Sequence, residues 1–197
     1  LVEYRRIGVA NILALGGDPP ADGRPEAGEY LYASDLLADI ASSGTFSIGV
    51  AAHPEVHPRS PDRESDRRHL ADKLSVADFA ISQFFFEVEY WIRLVDELDA
   101  LGVDKPVVPG VMPIANKAQL YRMATMNGTE IPGWLRERLD ATDEPDEVRR
   151  IGVEVATNLS GQLLDAGAPG LHIYALNRPE AVQKITADLG LVGAGSR

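Results

Sequence analysis

FAISQFFF, residues 79–86, decides how the chain is read: six of its eight residues are apolar, and only Ser82 and Gln83 interrupt the run. A strand with one face in water alternates polar and apolar residues, whereas a near-continuous apolar run belongs to a parallel sheet covered on both faces. Ile7–Leu15, Phe46–Ala52, Val107–Ile114 and Leu171–Leu176 read the same way. Between these strands lie stripes with apolar residues three and four apart, the signature of amphipathic helices. One comprises Val88, Trp91, Ile92, Val95 and Leu98; another comprises Val148, Ile151, Val155, Leu159 and Leu163. Asp143-Glu144-Pro145 suits the start of the second helix and Gly167 its end. Repeated strand–helix order predicts an α/β fold with a parallel sheet, either open or closed into a barrel.

The length of 197 residues suits one domain with a sizeable core. Thirty acidic against 19 basic residues leave a formal net charge of −11, which repels phosphate backbones and argues against a nucleic-acid partner. There is no cysteine, so disulfides, thiolate nucleophiles and cysteine metal sites are excluded together, and a reducing, cytoplasmic setting is expected. No stretch approaches the roughly 18 apolar residues of a membrane span, and no signal-peptide pattern opens the sequence.

Polar and glycine-rich content clusters just after the strands, at the rim where parallel α/β folds hold ligands. Gly16-Gly17-Asp18-Pro19-Pro20 ends the first strand, where glycines admit a ligand close to the backbone and a carboxylate offers acceptors; an ordinary turn is the plainer account. His53 and His57 flank Glu55 in a proline-bracketed segment. Pro54 and Pro58 oppose the helix that a four-residue metal pair needs, so no metal site is expected. Gln83 is either a buried amide satisfied within the fold or one that reads a heterocycle. Asp62–Lys73 is dense in both signs of charge and reads as a solvated helix face, from which one or two side chains could reach over the rim. Pro19–Glu29 reads as a surface flap.

NILALGGDPP, YASDLL, VAAHPEVHP, ISQFFFEVE, PVVPGVMPIANKAQL, IPGWL and HIYALNR occur in this order across the chain. Together they resemble the methylenetetrahydrofolate reductase family. The resemblance implies a (β/α)8 TIM barrel, with residues 1–197 as the C-terminal part of one barrel domain carrying strands four to eight. It implies reduction of 5,10-methylenetetrahydrofolate to 5-methyltetrahydrofolate with NAD(P)H, NADH favoured, and a folate as the small-molecule partner; a homo-oligomer is compatible with it. By position, Asp18 resembles the acidic residue beside flavin and pterin, and Gln83, Gln119 and Arg178 resemble folate contacts. Gly17, Asp18, Ala33, His57, Asp66, Lys73 and Gln83 fall on cofactor-contact positions. Amides, a carboxylate and an arginine suit a pterin edge and a glutamate tail.

Two departures stand out. No residue matches the family's catalytic glutamate, which lies on the first barrel strand. The natural protein is therefore expected to be about a hundred residues longer, near the usual size of such a barrel. Gly16, His53 and Asp72 replace an arginine, a tyrosine and a basic residue of the family pattern, which weakens the expectation of FAD and favours direct hydride transfer to the folate. A catalytically inactive folate-binding or partner subunit, and a flavin barrel acting on another substrate, are the rival readings.

Overall fold

The computed structural model describes residues 1–17, 30 and 32–191. Five parallel strands pair in the order in which they occur in the chain: β1 (Asn11–Ala14), β2 (Ser47–Ala52), β3 (Phe79–Phe84), β4 (Val107–Val111) and β5 (His172–Ile173). A doubly wound sheet reverses its strand order once, whereas sequential pairing by right-handed crossovers keeps all the connecting helices on one face and curls the sheet around the other. The architecture is thus a partial TIM barrel, and the open alternative is set aside.

The chain opens with α1 (Val2–Arg6), and then α2 (Ala33–Ser42), α3 (Arg63–Leu74) and α4 (Val88–Ala100) follow β1, β2 and β3. After β4 come α5 (Lys117–Asn127), α6 (Gly133–Asp140) and the long α7 (Pro145–Asp165), and α8 (Pro179–Asp188) follows β5. The main core lies between sheet and helices. Ile48, Val50 and Ala52 of β2 alternate inward against Leu37 and Ile40 of α2 and Leu70 and Leu74 of α3. Trp91, Leu94 and Leu98 of α4 and Ala156, Leu159 and Leu163 of α7 continue it. A second core caps the strand ends, where Phe84, Phe86, Met112 and Ile114 meet α5, α6 and the first half of α7.

Several expectations are corrected in detail. Ile7 lies in a turn, because α1 occupies the preceding residues and Gly8 adopts a left-handed φ of 89°. The last strand shrinks to two residues, as an outer strand paired on one side only. Ile92 is 38% exposed, so the buried face of α4 runs through Trp91, Leu94 and Leu98 instead. The α7 stripe is buried as expected. The strands, apolar on both faces, have only the helix side fully covered. On the concave side Leu13 is 38% exposed, and Phe79 and Ile81 are half-buried. No described helix is long and apolar enough to cross a membrane.

Candidate functional site

Gln83 owes its position to a bulge. Ala80 and Ile81 pair with Val107 and Val108, yet the next partners are Phe84 and Gly110, so β3 contains one residue more than β4 over this stretch. A bulge re-aims side chains and interrupts the ladder. Ser82 repairs the interruption: its hydroxyl accepts from the Gly110 amide at 2.8 Å and donates to the Gln83 carbonyl at 2.8 Å. The Tyr174 hydroxyl adds a 3.0 Å bond to the Ser82 carbonyl. Gln83 emerges half-buried at the C-terminal end of β3, with its Oε1 accepting from Asn127 Nδ2 at 3.2 Å.

Asn127 is the last residue of α5, whose first turn carries Gln119. At 1.5 Å per residue the two lie about 12 Å apart along the helix. α5 therefore starts beside the end of β4 and finishes over β3, roofing the strand ends between two of the predicted site residues. Asn116 caps it by accepting from the Gln119 amide at 2.7 Å, and Asn116 Nδ2 also donates to Gln119 Oε1 at 3.2 Å.

A second feature is a cavity of about 820 Å³ at the ends of β1 and β2, between α2 and α3. Its lining includes Ala33, His57, Asp66 and Lys73, which the family resemblance places at cofactor-contact positions, and Gly16, His53 and Asp72, which depart from that pattern. Gly17 adjoins it in a left-handed conformation, φ 71°, that glycine adopts without strain. Asp18 lies outside the described residues.

The two imidazoles meet edge to face at 4.4 Å. Burial, with help from nearby His57, Lys73 and Arg67, lowers the His53 pKa to about 4 against the pull of Asp66, so the ring is neutral at neutral pH. Lys73 donates to the Ala51 carbonyl at 3.1 Å, and burial lowers its pKa. The described lining holds two cations, Arg59 and Lys73, and two carboxylates, Asp66 and Asp72, of which Asp66 is already paired with Arg67 at 2.6 Å. Among the described residues no cluster of three or more His, Cys, Asp or Glu residues could hold a metal.

The reading of Asp62–Lys73 as a solvated face is corrected. Asp66 and Arg67 are 7% and 3% exposed. Asp66 accepts from the His57 amide and the Ser60 hydroxyl, and Arg67 gathers the carbonyls of His53, Pro54 and Glu55. Arg67 was missed by sequence reasoning, because an arginine in a charged run carries no sign of being turned inward.

Glu55, on the same loop, reaches across to the segment after α5, where its Oε1 accepts from the Glu130 amide at 2.7 Å. Burial raises its pKa to about 7, and the Glu130 carboxylate adds to this, against the Glu130 amide and Arg63. A carboxyl whose pKa is raised by folding favours the folded state below its ordinary value near 4.5 and loses that contribution as pH rises through about 7. Glu55→Gln keeps the acceptor and removes the ionisation. The variant is expected to match the parent at pH 4.5 and exceed it at pH 8 by about 1 kcal/mol, a figure discounted for solvent at a half-exposed group. Urea midpoints at the two pH values check this; equal midpoints at pH 8 refute it.

Arg178 is not brought to Gln83. It is the N-cap of α8 and lines a separate cavity of about 780 Å³ between α7 and α8, together with Tyr174, Leu176 and Lys184. The turn delivering it is strained: Leu176 and Asn177 take φ of 48° and 61°, unusual for non-glycine residues and common at functional sites.

Comparison with known proteins agrees with this geometry. A family model described as methylenetetrahydrofolate reductase matches residues 1–190. The 5,10-methylenetetrahydrofolate reductase of Pectobacterium carotovorum subsp. carotovorum is 37% identical over 96% of this chain and 63% of its own length. That of Escherichia coli (strain K12) is 36% identical over 96% of this chain and 64% of its own length. Methylenetetrahydrofolate reductase 2 of Saccharomyces cerevisiae is 38% identical over 94% of this chain and 32% of its own. The chain thus spans less than two thirds of the length of these relatives. In structure it is similar to an uncharacterized protein from Clostridium thermocellum that binds two copies of 5-methyl-5,6,7,8-tetrahydrofolic acid. The TM-score is 0.65 at 17% identity, covering 98% of this chain and 69% of that one, a likeness of fold. With a family model matched over residues 1–190 and relatives 36–37% identical over 96% of its length, the chain belongs to the methylenetetrahydrofolate reductase family.

Proposed function

We propose that the chain is the C-terminal part of a barrel that reduces 5,10-methylenetetrahydrofolate to 5-methyltetrahydrofolate with NAD(P)H, NADH favoured. The observation that carries this reading is the bulge that displays the Gln83 amide at the rim, under the helix that bears Gln119. An amide offers a donor and an acceptor to the matching edge of a pterin. Because Arg178 lines the separate α7–α8 cavity, it would meet only the far, anionic end of a folate whose pterin lies at Gln83, and Asp18 would stand beside the pterin. The Clostridium thermocellum protein of similar fold binds the methylated folate that this reaction would produce. Sequential strand order and the exposed concave side of β1 support a closed eight-stranded barrel in the whole protein. A cytoplasmic setting belongs to the same proposal and rests on the cysteine-free sequence.

The reaction balances without a further redox partner. One proton opens the methylene bridge to an iminium at N5; one hydride from the dihydronicotinamide reduces that carbon to methyl, leaving NAD(P)+. The family uses a flavin as well as a nicotinamide. The described residues of the β1–β2 cavity do not fit the FAD diphosphate. Lys73 donates to a backbone carbonyl, His53 is neutral, and the exposed Arg59 is matched by Asp72, while Asp66 is already paired with Arg67. Charge-assisted contacts contribute about 1.5–3 kcal/mol each, so the absence of two leaves flavin affinity several decades lower. Direct transfer requires only that both ligands sit at contact distance in the rim cleft.

The full-length protein, purified without added flavin, is expected to lack flavin absorbance and to turn over equally with and without FAD. Stoichiometric flavin absorbance, or activity that requires FAD, overturns the direct mechanism. Tight folate binding with no NAD(P)H oxidation would instead identify a binding subunit.

A further inference from the structure

We infer that Asn116 is a positioning residue that fixes which end of the Gln119 amide faces the substrate. The inference rests on the reading of Gln119 as a folate contact and adds to it the polarity of that contact. A terminal amide can rotate by half a turn and exchange its donor and acceptor with little change in shape, and two amides bonded only to each other can turn together. Here a backbone group prevents it. The Gln119 N–H can only donate, and it lies 2.7 Å from the Asn116 side chain, so the atom facing it is Oδ1. The other arm of the Asn116 amide is therefore Nδ2, which donates to Gln119 Oε1 at 3.2 Å. Turning one amide, or both, would set two donors against each other. The Gln119 oxygen is thus engaged, and its Nε2 has no partner among the described residues. Gln119 would read an acceptor of the folate, a ring nitrogen or a carbonyl oxygen.

The segment that carries Asn116 is held from outside the pair. Residues 112–116 join β4 to α5, and Met112, Pro113 and Ile114 among them are buried. The helix α7 presses on this segment at Gly152, where a Cβ would stand 2.2 Å from the Ile114 carbonyl oxygen and 2.7 Å from its amide nitrogen. The Asn116 carbonyl accepts from the Leu120 amide at 3.2 Å, and Leu120 is buried in the second core. Lys117 Nζ donates to Asp143 at 2.7 Å, which ties the first turn of α5 to the segment before α7. None of these contacts involves either side-chain amide. They fix where Asn116 starts, and the Gln119 N–H then fixes how its amide is turned.

The test compares Asn116→Asp and Asn116→Ser in the full-length enzyme, with Gln119→Ala as the reference. Both replacements keep an oxygen that caps α5, so the helix start is preserved in each. Aspartate sets a second oxygen where Nδ2 stood, so it would draw Gln119 Nε2 toward itself and turn Oε1 to the substrate. Serine is too short to reach the Gln119 side chain while capping the helix, and merely frees it. Asn116→Asp is expected to raise the folate KM by about tenfold or more, and Asn116→Ser by about threefold. The KM for NAD(P)H and the melting temperature should change little in both, whereas a merely structural role would move them together with the folate KM. Aspartate also adds a negative charge, so Asn116→Asp is repeated in the Gln119→Ala background, where a residue acting through Gln119 should change the folate KM by less than about twofold. A loss there as large as in the parent assigns the effect to charge and overturns the inference, as does an Asp variant no worse than the Ser variant; in either case the folate reading stands. If Gln119→Ala leaves the folate KM unchanged, the folate reading of Gln119 fails and the positioning role with it. If the Asp variant folds poorly, the serine variant still decides, because an unchanged folate KM in it shows that Gln119 needs no fixing.

Discussion

Arg67→Met is expected to lower folding stability by about 3–5 kcal/mol, the scale observed when one partner of a buried ionic network is removed. The guanidinium is 3% exposed and uses all its faces. Nε donates to Glu97 at 2.6 Å, and Nη1 to Asp66 at 2.6 Å and to the His53 carbonyl at 3.0 Å. Nη2 reaches the carbonyls of Pro54 and Glu55 at 2.7 and 3.1 Å. Methionine fills much of the volume but leaves three backbone carbonyls and the two carboxylates without this donor. Lysine would not rescue the site, because a point charge on a flexible stem cannot span five acceptors that a planar fork reaches together. Urea denaturation of the parent and of the Met and Lys variants measures the loss. A deficit below about 1 kcal/mol for Arg67→Met would show that the loop after β2 is held by other means. Since this loop presents His53, Glu55 and His57, the β1–β2 cavity and the segment at Glu130 should loosen with it.

Arg67 also shows where one sequence stops being informative. Its neighbours Glu64 and Arg68 form an exposed pair four residues apart, as a solvated face should. Nothing local separates Arg67 from them. Its burial follows from the loop carbonyls above α3, twelve to fourteen residues earlier in the chain, and from Glu97, thirty residues later. The strands were legible because burial imposes a local demand: an apolar run such as FAISQFFF has few alternatives. The helical stripe of α7 was legible for the same reason. Gln83 was noticed as a polar residue in an apolar strand, yet the bulge that aims it is a relation between β3 and β4 and has no signature in either alone. Asn127 lies 44 residues from Gln83 and looks like an ordinary helix end. The residues drawn into the β1–β2 cavity were identified through resemblance, since Ala33 and Lys73 carry no chemistry of their own that marks a pocket.

Gly110→Ala is expected to cost about 3 kcal/mol of stability and to displace Gln83. A Cβ built on Gly110 would stand 2.2 Å from the Ser82 carbonyl oxygen, 2.8 Å from the Tyr174 ring and 3.2 Å from the Gln83 carbonyl carbon. The first of these is backbone, so no rotamer change relieves it; the strands must part where β3 bulges. Overpacking a tight site generally costs about 1–3 kcal/mol, and this site sits at the upper end because the displaced atoms also make hydrogen bonds. The Ser82 carbonyl accepts from Tyr174, and the Gly110 amide donates to the Ser82 hydroxyl that in turn donates to Gln83. Moving Ser82 by a fraction of an ångström therefore releases the whole stitched bulge, and the Gln83 amide with it. Gly133→Ala is the control, since a Cβ there meets nothing within 4 Å and the first turn of α6 accepts alanine. Urea midpoints should fall for Gly110→Ala and hold or rise slightly for Gly133→Ala. Folate affinity, measured well below the melting temperature of the weaker variant, should drop by about tenfold or more only for Gly110→Ala. A stability loss at unchanged affinity would mean that the bulge shapes the sheet without aiming Gln83. Unchanged stability would mean that β3 and β4 do not approach as closely in solution as their register requires.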